Sequence, residues 1–140
     1  MDPSLEIVIL ERGETIAYAA CGLPYYVEGQ AARIEDLIHY TPEEFARQRG
    51  VTVRTKADVV SISHARREVR LATGETIPYD RLVIATGASP DIGSITGADQ
   101  PHVYRLHTLQ DAERLRAFLR FKSPRNAAVI GAGYIGLEAA

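Results

Sequence analysis

Apolar residues arrive along this chain in two kinds of block. The first kind is unbroken. "LEIVIL", Leu5 to Leu10, ends in Glu11-Arg12-Gly13, and "YDRLVIATGA" runs apolar into Gly87. Such runs suit strands buried on both faces, as in parallel sheets. The second kind has helical spacing. In "TLQDAERLRAFLRF" the apolar positions Leu109, Ala112, Leu115 and Leu119 share a face, and Thr108 is placed to cap it. "TPEEFARQRG" predicts a shorter helix: Thr41 caps it, Pro42 fits its first turn, Glu44 completes a capping box and Gly50 stops it. Three β-rich runs follow, "VTVRT", "ADVVSIS" and "EVRLA", with "HARR" and "TGET" as turns, which predicts a small antiparallel excursion. At the end, "NAAVIGAGYIGLEAA" predicts a strand from Ala127 to Ile130, a glycine turn and the start of a helix. Alternating strands and helices predict an α/β fold with a parallel sheet. "SPDIGSITGADQPH", rich in Gly, Pro and Ser, is the weakest join and places a domain boundary near Arg105, dividing 1–105 from 106–140.

Composition narrows the function. At 140 residues the chain is long enough for one ordinary core. A net charge of −2 gives no basic footprint for nucleic acid. No apolar run approaches the roughly 20 residues of a membrane span, and "MDPSLE" lacks the features of a signal peptide. A single cysteine excludes an internal disulfide, so a cytoplasmic, reducing compartment is the simplest expectation. His39, His64, His102 and His107 show no metal spacing, and no metal is expected.

Two motifs carry chemistry. Gly131, Gly133 and Gly136 form GxGxxG in a strand–turn–helix context. The first glycine makes the turn, the second lets the backbone approach a pyrophosphate, and the third allows close packing. Its bland alternative is a glycine turn with no ligand. Glu11, ending the first apolar run, suits a ribose-binding acid, or else a solvated strand end. A ribose acid follows its glycine turn by about 20 residues. Counting back from Glu11 passes Met1, and the second unit reaches Ala140 before such an acid. Two dinucleotide units, each cut short, are therefore expected. The lone Cys21 lies in "YAACGLPYYVEG", Tyr18 to Gly29. It reads either as a small buried residue or as a redox thiol. Pro24 suits an early helical position, which would put Cys21 at a helix N-terminus. Ala19, Ala20 and Gly22 leave room beside the sulfur.

Taken together, "EIVILER", "YAACGLPYYVEG", "YDRLVIATGASP" and "AAVIGAGYIGLEAA" resemble the single-cysteine pyridine nucleotide-disulfide oxidoreductases, the group of coenzyme A-disulfide reductase, NADH oxidase and NADH peroxidase. "CGLPYY" most resembles the first branch. The resemblance implies a partial FAD-binding Rossmann-like domain over 1–105, lacking its first strand, glycine loop and helix, and the beginning of an NAD(P)-binding domain over 106–140. It implies that Glu11 and Arg12 hold the FAD ribose and that Val60 meets adenine through its backbone. Ala85, Thr86 and Gly87 would close over FAD. Gly131, Gly133, Ile135 and Gly136 would hold NADH or NADPH. Tyr134 would lie over the flavin and Glu138 near the nicotinamide. Arg49 stands where that branch places a cation for a coenzyme A phosphate, or is a solvated helix-end charge. Cys21 would be the catalytic thiol. Tyr26 occupies the position of the second cysteine in CxxxxC members. Where the coenzyme A branch commonly has Ser and Asn, this chain has Ala17 and Ala20.

The implied activity is electron transfer from NAD(P)H through flavin to Cys21 and a small disulfide, coenzyme A disulfide being one candidate, in a homodimer without nucleic-acid or membrane partners. Alternatives are oxygen or peroxide reduction through a Cys21 sulfenic acid, an inactive fragment, and an electron carrier in which Cys21 is structural.

Overall fold

The computed structural model describes residues 4–93 and 95–140. Local capping signals form as the sequence predicts. Helix α2, Pro42–Arg49, has Thr41 as its N-cap: the Glu44 N–H donates to the Thr41 hydroxyl at 3.1 Å, and the Thr41 N–H donates to the Glu44 carboxylate at 3.1 Å. Gly50 ends it in the left-handed region, φ 65°. Helix α3, Leu109–Lys122, carries the same reciprocal box between Thr108 and Asp111. Each box satisfies two N–H groups that a helix start leaves orphaned.

Two compact units result. One combines the chain through Tyr18 with His39–Thr86. In it, β1 (Val8–Leu10) pairs in parallel with β4 (Thr52–Arg54), in the register Ile9 to Val53. Short β2 (Ala17–Tyr18) pairs with β3 (Ile38–Tyr40). An antiparallel meander follows: β5 (Val59–Ser63), β6 (Glu68–Leu71) and β7 (Thr76–Pro78). Val69 and Leu71 of its central strand are each 3% exposed and form its core. A bidentate Arg54–Glu75 pair, at 2.8 and 2.6 Å, ties β4 to the turn before β7. Its hydrogen bonds hold the Glu75 carboxyl below its ordinary pKa and the Arg54 guanidinium above its own.

The second unit combines Ala19–Ile38 with Gly87–Ala140. Helix α1 (Leu23–Glu28) packs on α3 and also meets α4 (Tyr134–Glu138). Leu23, Leu37, Leu109 and Ala112 are buried there. This grouping crosses the 1–105/106–140 division because α3 contributes its apolar face to α1.

The α/β class is as expected, with one parallel pair and one antiparallel meander. Four details differ from the sequence expectation. "VTVRT" does not join the antiparallel excursion: as β4 it pairs in parallel with β1, and Thr76–Pro78 supplies the meander's third strand. The first strand is confined to Val8–Leu10, and Leu5 is exposed. Residues 82–86 form no strand, and Val83 is 84% exposed. Residues 127–130 likewise form none, and Ile130 is 79% exposed. The last two have one cause. A strand exists only through hydrogen bonds to a neighbour, and among the described residues no strand pairs with either segment. Leu82 and Ile84 instead border an open groove with Ile62 and Tyr79.

Candidate functional site

Cys21 sits in a single 3₁₀ turn, Ala20–Gly22, leading into α1. Among the described residues the Cys21 thiol is exposed. The helix begins where it does because Leu23 and Pro24 occupy its first two positions and are both buried. Gly22 is its N-cap. A Cβ there would stand 2.6 Å from Leu37 Cδ2, so a side chain at this position would make Leu37 shift. The Ala19 N–H donates to the Leu37 carbonyl at 2.8 Å, which fixes the approach to the turn. Gly29 ends α1 at φ 104°, and its N–H donates back to the Tyr25 and Tyr26 carbonyls. The sulfur is thus presented on a short, capped helix whose first turn is anchored in the core.

The glycine fingerprint folds into its expected geometry although its strand does not. Gly131 adopts φ 114°, as a tight turn requires. Gly133 is the N-cap of α4, and a Cβ there would meet nothing within 4 Å. A Cβ at Gly136 would collide with the Gly131 carbonyl oxygen, so the helix can lie against the turn only because this residue is glycine. The three positions therefore differ physically: one turns, one leaves space, one permits contact. Tyr134 and Ile135 are exposed, Tyr134 at 88%. Glu138 is exposed at the end of the same helix.

The remaining candidates fall mainly in the first unit. The Glu11 carboxylate accepts the Gly13 N–H at 2.6 Å, and Glu11's own backbone bonds Arg54 and Ala57. The acid is thereby held at the end of β1, with exposed Arg12 beside it. Val60 lies at a break in the β5–β6 register: Val59 faces Leu71 and Ser61 faces Arg70, leaving Val60 with no residue opposite. Such a bulge turns backbone groups away from the ladder. Ala85 and Thr86 are exposed, and Gly87 follows at φ 70° in the second unit. The neighbouring Ala88 carbonyl lies 2.8 Å from His107 Nε2, which must be protonated to donate to it. Arg49 ends α2 exposed, its guanidinium 5.8 Å from the Phe45 ring centroid. His39, His64 and His102 are exposed. Among the described residues no three His, Cys, Asp or Glu side chains group as metal ligands, and no helix is long and apolar enough to cross a membrane.

Three features escaped the sequence reading: the Val60 bulge, the His107 contact and Arg116. The last left a signal. Leu109, Ala112 and position 116 follow i, i+3, i+7 on the buried face of α3, and the third is an arginine.

The profile of the pyridine nucleotide-disulphide oxidoreductases matches residues 2–140. The chain belongs to that family. It is 38% identical to an NAD(P)H sulfur oxidoreductase (CoA-dependent) from Pyrococcus furiosus, over 99% of this chain and 31% of the relative. It is 33% identical to an NADH oxidase from Methanocaldococcus jannaschii, over 97% of this chain and 31% of the relative. The crystal structure of reduced Bacillus anthracis CoADR-RHD superimposes with a TM-score of 0.86 at 35% identity, covering 96% of this chain and 25% of that one. The chain thus spans about a third or less of the length of the proteins it matches.

Proposed function

We propose that this chain is the part of an FAD-dependent NAD(P)H oxidoreductase that carries its redox thiol, Cys21, and that the full-length enzyme reduces a small-molecule disulfide such as coenzyme A disulfide. The observation that carries the reading is the placement of Cys21. A core cysteine would be enclosed, whereas this one is exposed on a turn built from Ala19, Ala20 and Gly22. Family membership supplies the redox context.

The residues present fit the two cofactors. The space over Gly133 and the contact at Gly136 suit a dinucleotide pyrophosphate, and the Val60 bulge suits backbone contact with a purine. In this reading Glu11 and Arg12 hold the FAD ribose, Ala85, Thr86 and Gly87 close over FAD, and Tyr134, Ile135 and Glu138 border the nicotinamide. FAD, when bound, accepts a hydride from NAD(P)H and supplies two electrons to the thiol site. The chain's own chemistry is thiol exchange. The Cys21 thiolate attacks one sulfur of the disulfide RS–SR, forming Cys21–S–SR and releasing RS⁻. Two electrons then cleave that bond, restoring the thiolate and releasing the second RS⁻, and both leaving thiolates take protons from solvent. Arg49 is assigned to an anionic group of the substrate. The domain boundary belongs near Arg105, the compartment is the reducing cytoplasm, and the full-length form is a homodimer.

The Methanocaldococcus relative named NADH oxidase favours a second reading. In it Cys21 thiolate attacks a peroxide oxygen, giving Cys21–SOH and hydroxide, and reduction returns the thiolate with loss of water.

Cys21→Ser in the full-length enzyme separates these from a structural cysteine. Flavin reduction by NAD(P)H should persist, while disulfide turnover should fall at least about 100-fold. Full disulfide and peroxide turnover by the variant would sink both readings. Mass spectrometry of the oxidised protein distinguishes them, since a bound small thiol and an added oxygen differ in mass.

A further inference from the structure

We infer that Arg116 is a positioning residue for Cys21, holding the far end of the helix that presents the thiol. The inference rests on the proposed role of Cys21. Arg116 is a charged residue 6% exposed, and its guanidinium carbon lies 4.1 Å from the centroid of the Tyr26 ring on α1. Its Nη1 donates to the Ala31 carbonyl at 3.0 Å and to the Ala32 carbonyl at 3.2 Å. These carbonyls lie two and three residues beyond the Gly29 cap. One side chain from α3 thus grips both the body of α1 and the segment leaving it.

Cys21 stands one residue before the N-cap at the other end. Six helical residues span about 9 Å. A unit that short moves as a piece, so loosening its C-terminal end displaces the sulfur.

Arginine brings to this position both a hydrogen-bond donor and a charge over a ring. Its Nε is buried with no hydrogen-bond partner among the described residues. An apolar side chain in its place would leave the Ala31 and Ala32 carbonyls without this donor. What an apolar residue lacks is a guanidinium whose Nη1 bonds two carbonyls while its charge lies over a ring.

The test uses the full-length protein with Arg116→Met, Arg116→Lys and Tyr26→Leu. The thermal midpoint, the rate of Cys21 alkylation by iodoacetamide at pH 7, flavin reduction by NAD(P)H and coenzyme A disulfide turnover are measured. Arg116→Met should fold with a midpoint near the wild type, change the alkylation rate at least about threefold and lower disulfide kcat about tenfold, with flavin reduction unchanged. Arg116→Lys should recover part of both losses, and Tyr26→Leu should act in the direction of Arg116→Met. Folded Arg116→Met with unaltered alkylation and turnover would overturn the inference. So would failure of both Arg116 variants to fold, which would make the residue purely structural. If Cys21→Ser retained full disulfide turnover, the proposed function would fail, yet the alkylation rates would still report whether Arg116 places the sulfur.

Discussion

Single residues in this chain act by what they leave out as much as by what they supply. Gly133 and Gly136 are three apart in one motif, yet the same substitution should cost stability at only one of them. Gly133 has ordinary dihedrals, φ −77° and ψ 177°, and open space around its missing Cβ. Gly133→Ala should therefore leave stability within about 0.5 kcal/mol, as at ordinary surface positions. It should still weaken nicotinamide dinucleotide binding in the full-length protein, because the methyl fills the space a pyrophosphate would enter. Gly136→Ala meets a backbone carbonyl that cannot yield cheaply. It should push α4 off the Gly131 turn and lower both order and binding. Calorimetric titration with NADH and NADPH, set beside hydrogen exchange over 131–138, reads the two effects separately. Equal binding by Gly133→Ala and wild type would argue that this space holds no ligand.

At the scale of elements, the sequence was legible wherever the determining interaction is local. The capping box of α2 lies within four residues, Thr41 to Glu44, and so does its partner at Thr108 and Asp111. Both could be read without knowing the fold. Thr41→Ala removes the hydroxyl that accepts the Glu44 N–H and should cost about 1 kcal/mol, visible as a lower urea midpoint. No change would show that the frayed end is satisfied by water. Strands were legible only as apolar runs. Whether such a run pairs depends on a partner far away in sequence, and for 82–86 and 127–130 no paired strand lies among the described residues. The same non-locality hid the parallel pairing of Thr52–Arg54 and the grip of Arg116 on Ala31 and Ala32, 85 and 84 residues away. The site divides likewise. The GxGxxG turn and the thiol could be read from their neighbours in sequence, but the Val60 bulge and the clamp behind α1 could not.

An element-to-element ion pair adds a pH dependence. Glu75 has its folded pKa lowered by hydrogen bonds from Arg54. A lowered carboxylate pKa means that the contribution is fully present above the unfolded value of about 4.3 and is lost as pH falls through the lower folded value. Urea midpoints measured from pH 7 to pH 3 should therefore decline in acid, and Glu75→Gln should flatten part of that decline. Both side chains are more than a third exposed, so the effect should shrink in high salt. An identical acid response in Glu75→Gln would assign it to other carboxylates.

At the scale of the whole molecule, the exposed apolar segments set how the isolated 140-residue chain should behave. Val83 and Ile84 are 84% and 65% exposed in one unit, and Ile130 is 79% exposed in the other. Each belongs to a run of strand-forming residues whose backbone N–H and C=O groups lack a ladder partner among the described residues. Apolar side chains beside unpaired strand backbone form a template for another strand. The isolated chain should therefore associate with itself as its concentration rises and should bind the dye ANS. Val83→Lys places a charge on that template, and should lower the associating fraction without disturbing the β5–β6–β7 meander, whose core is Val69 and Leu71. The chain also holds one glycine fingerprint, at Gly131–Gly136, while the proposed function needs a phosphate cradle for each of two dinucleotides. In the proposed function Glu11 and Val60 give FAD a ribose contact and a purine contact and the one cradle belongs to NAD(P)H, so FAD added to the isolated chain should separate from it on gel filtration. A yellow stoichiometric complex that survives the column, from a chain that also stays monomeric, would show that these two contacts and the Ala85–Gly87 turn suffice to hold the cofactor.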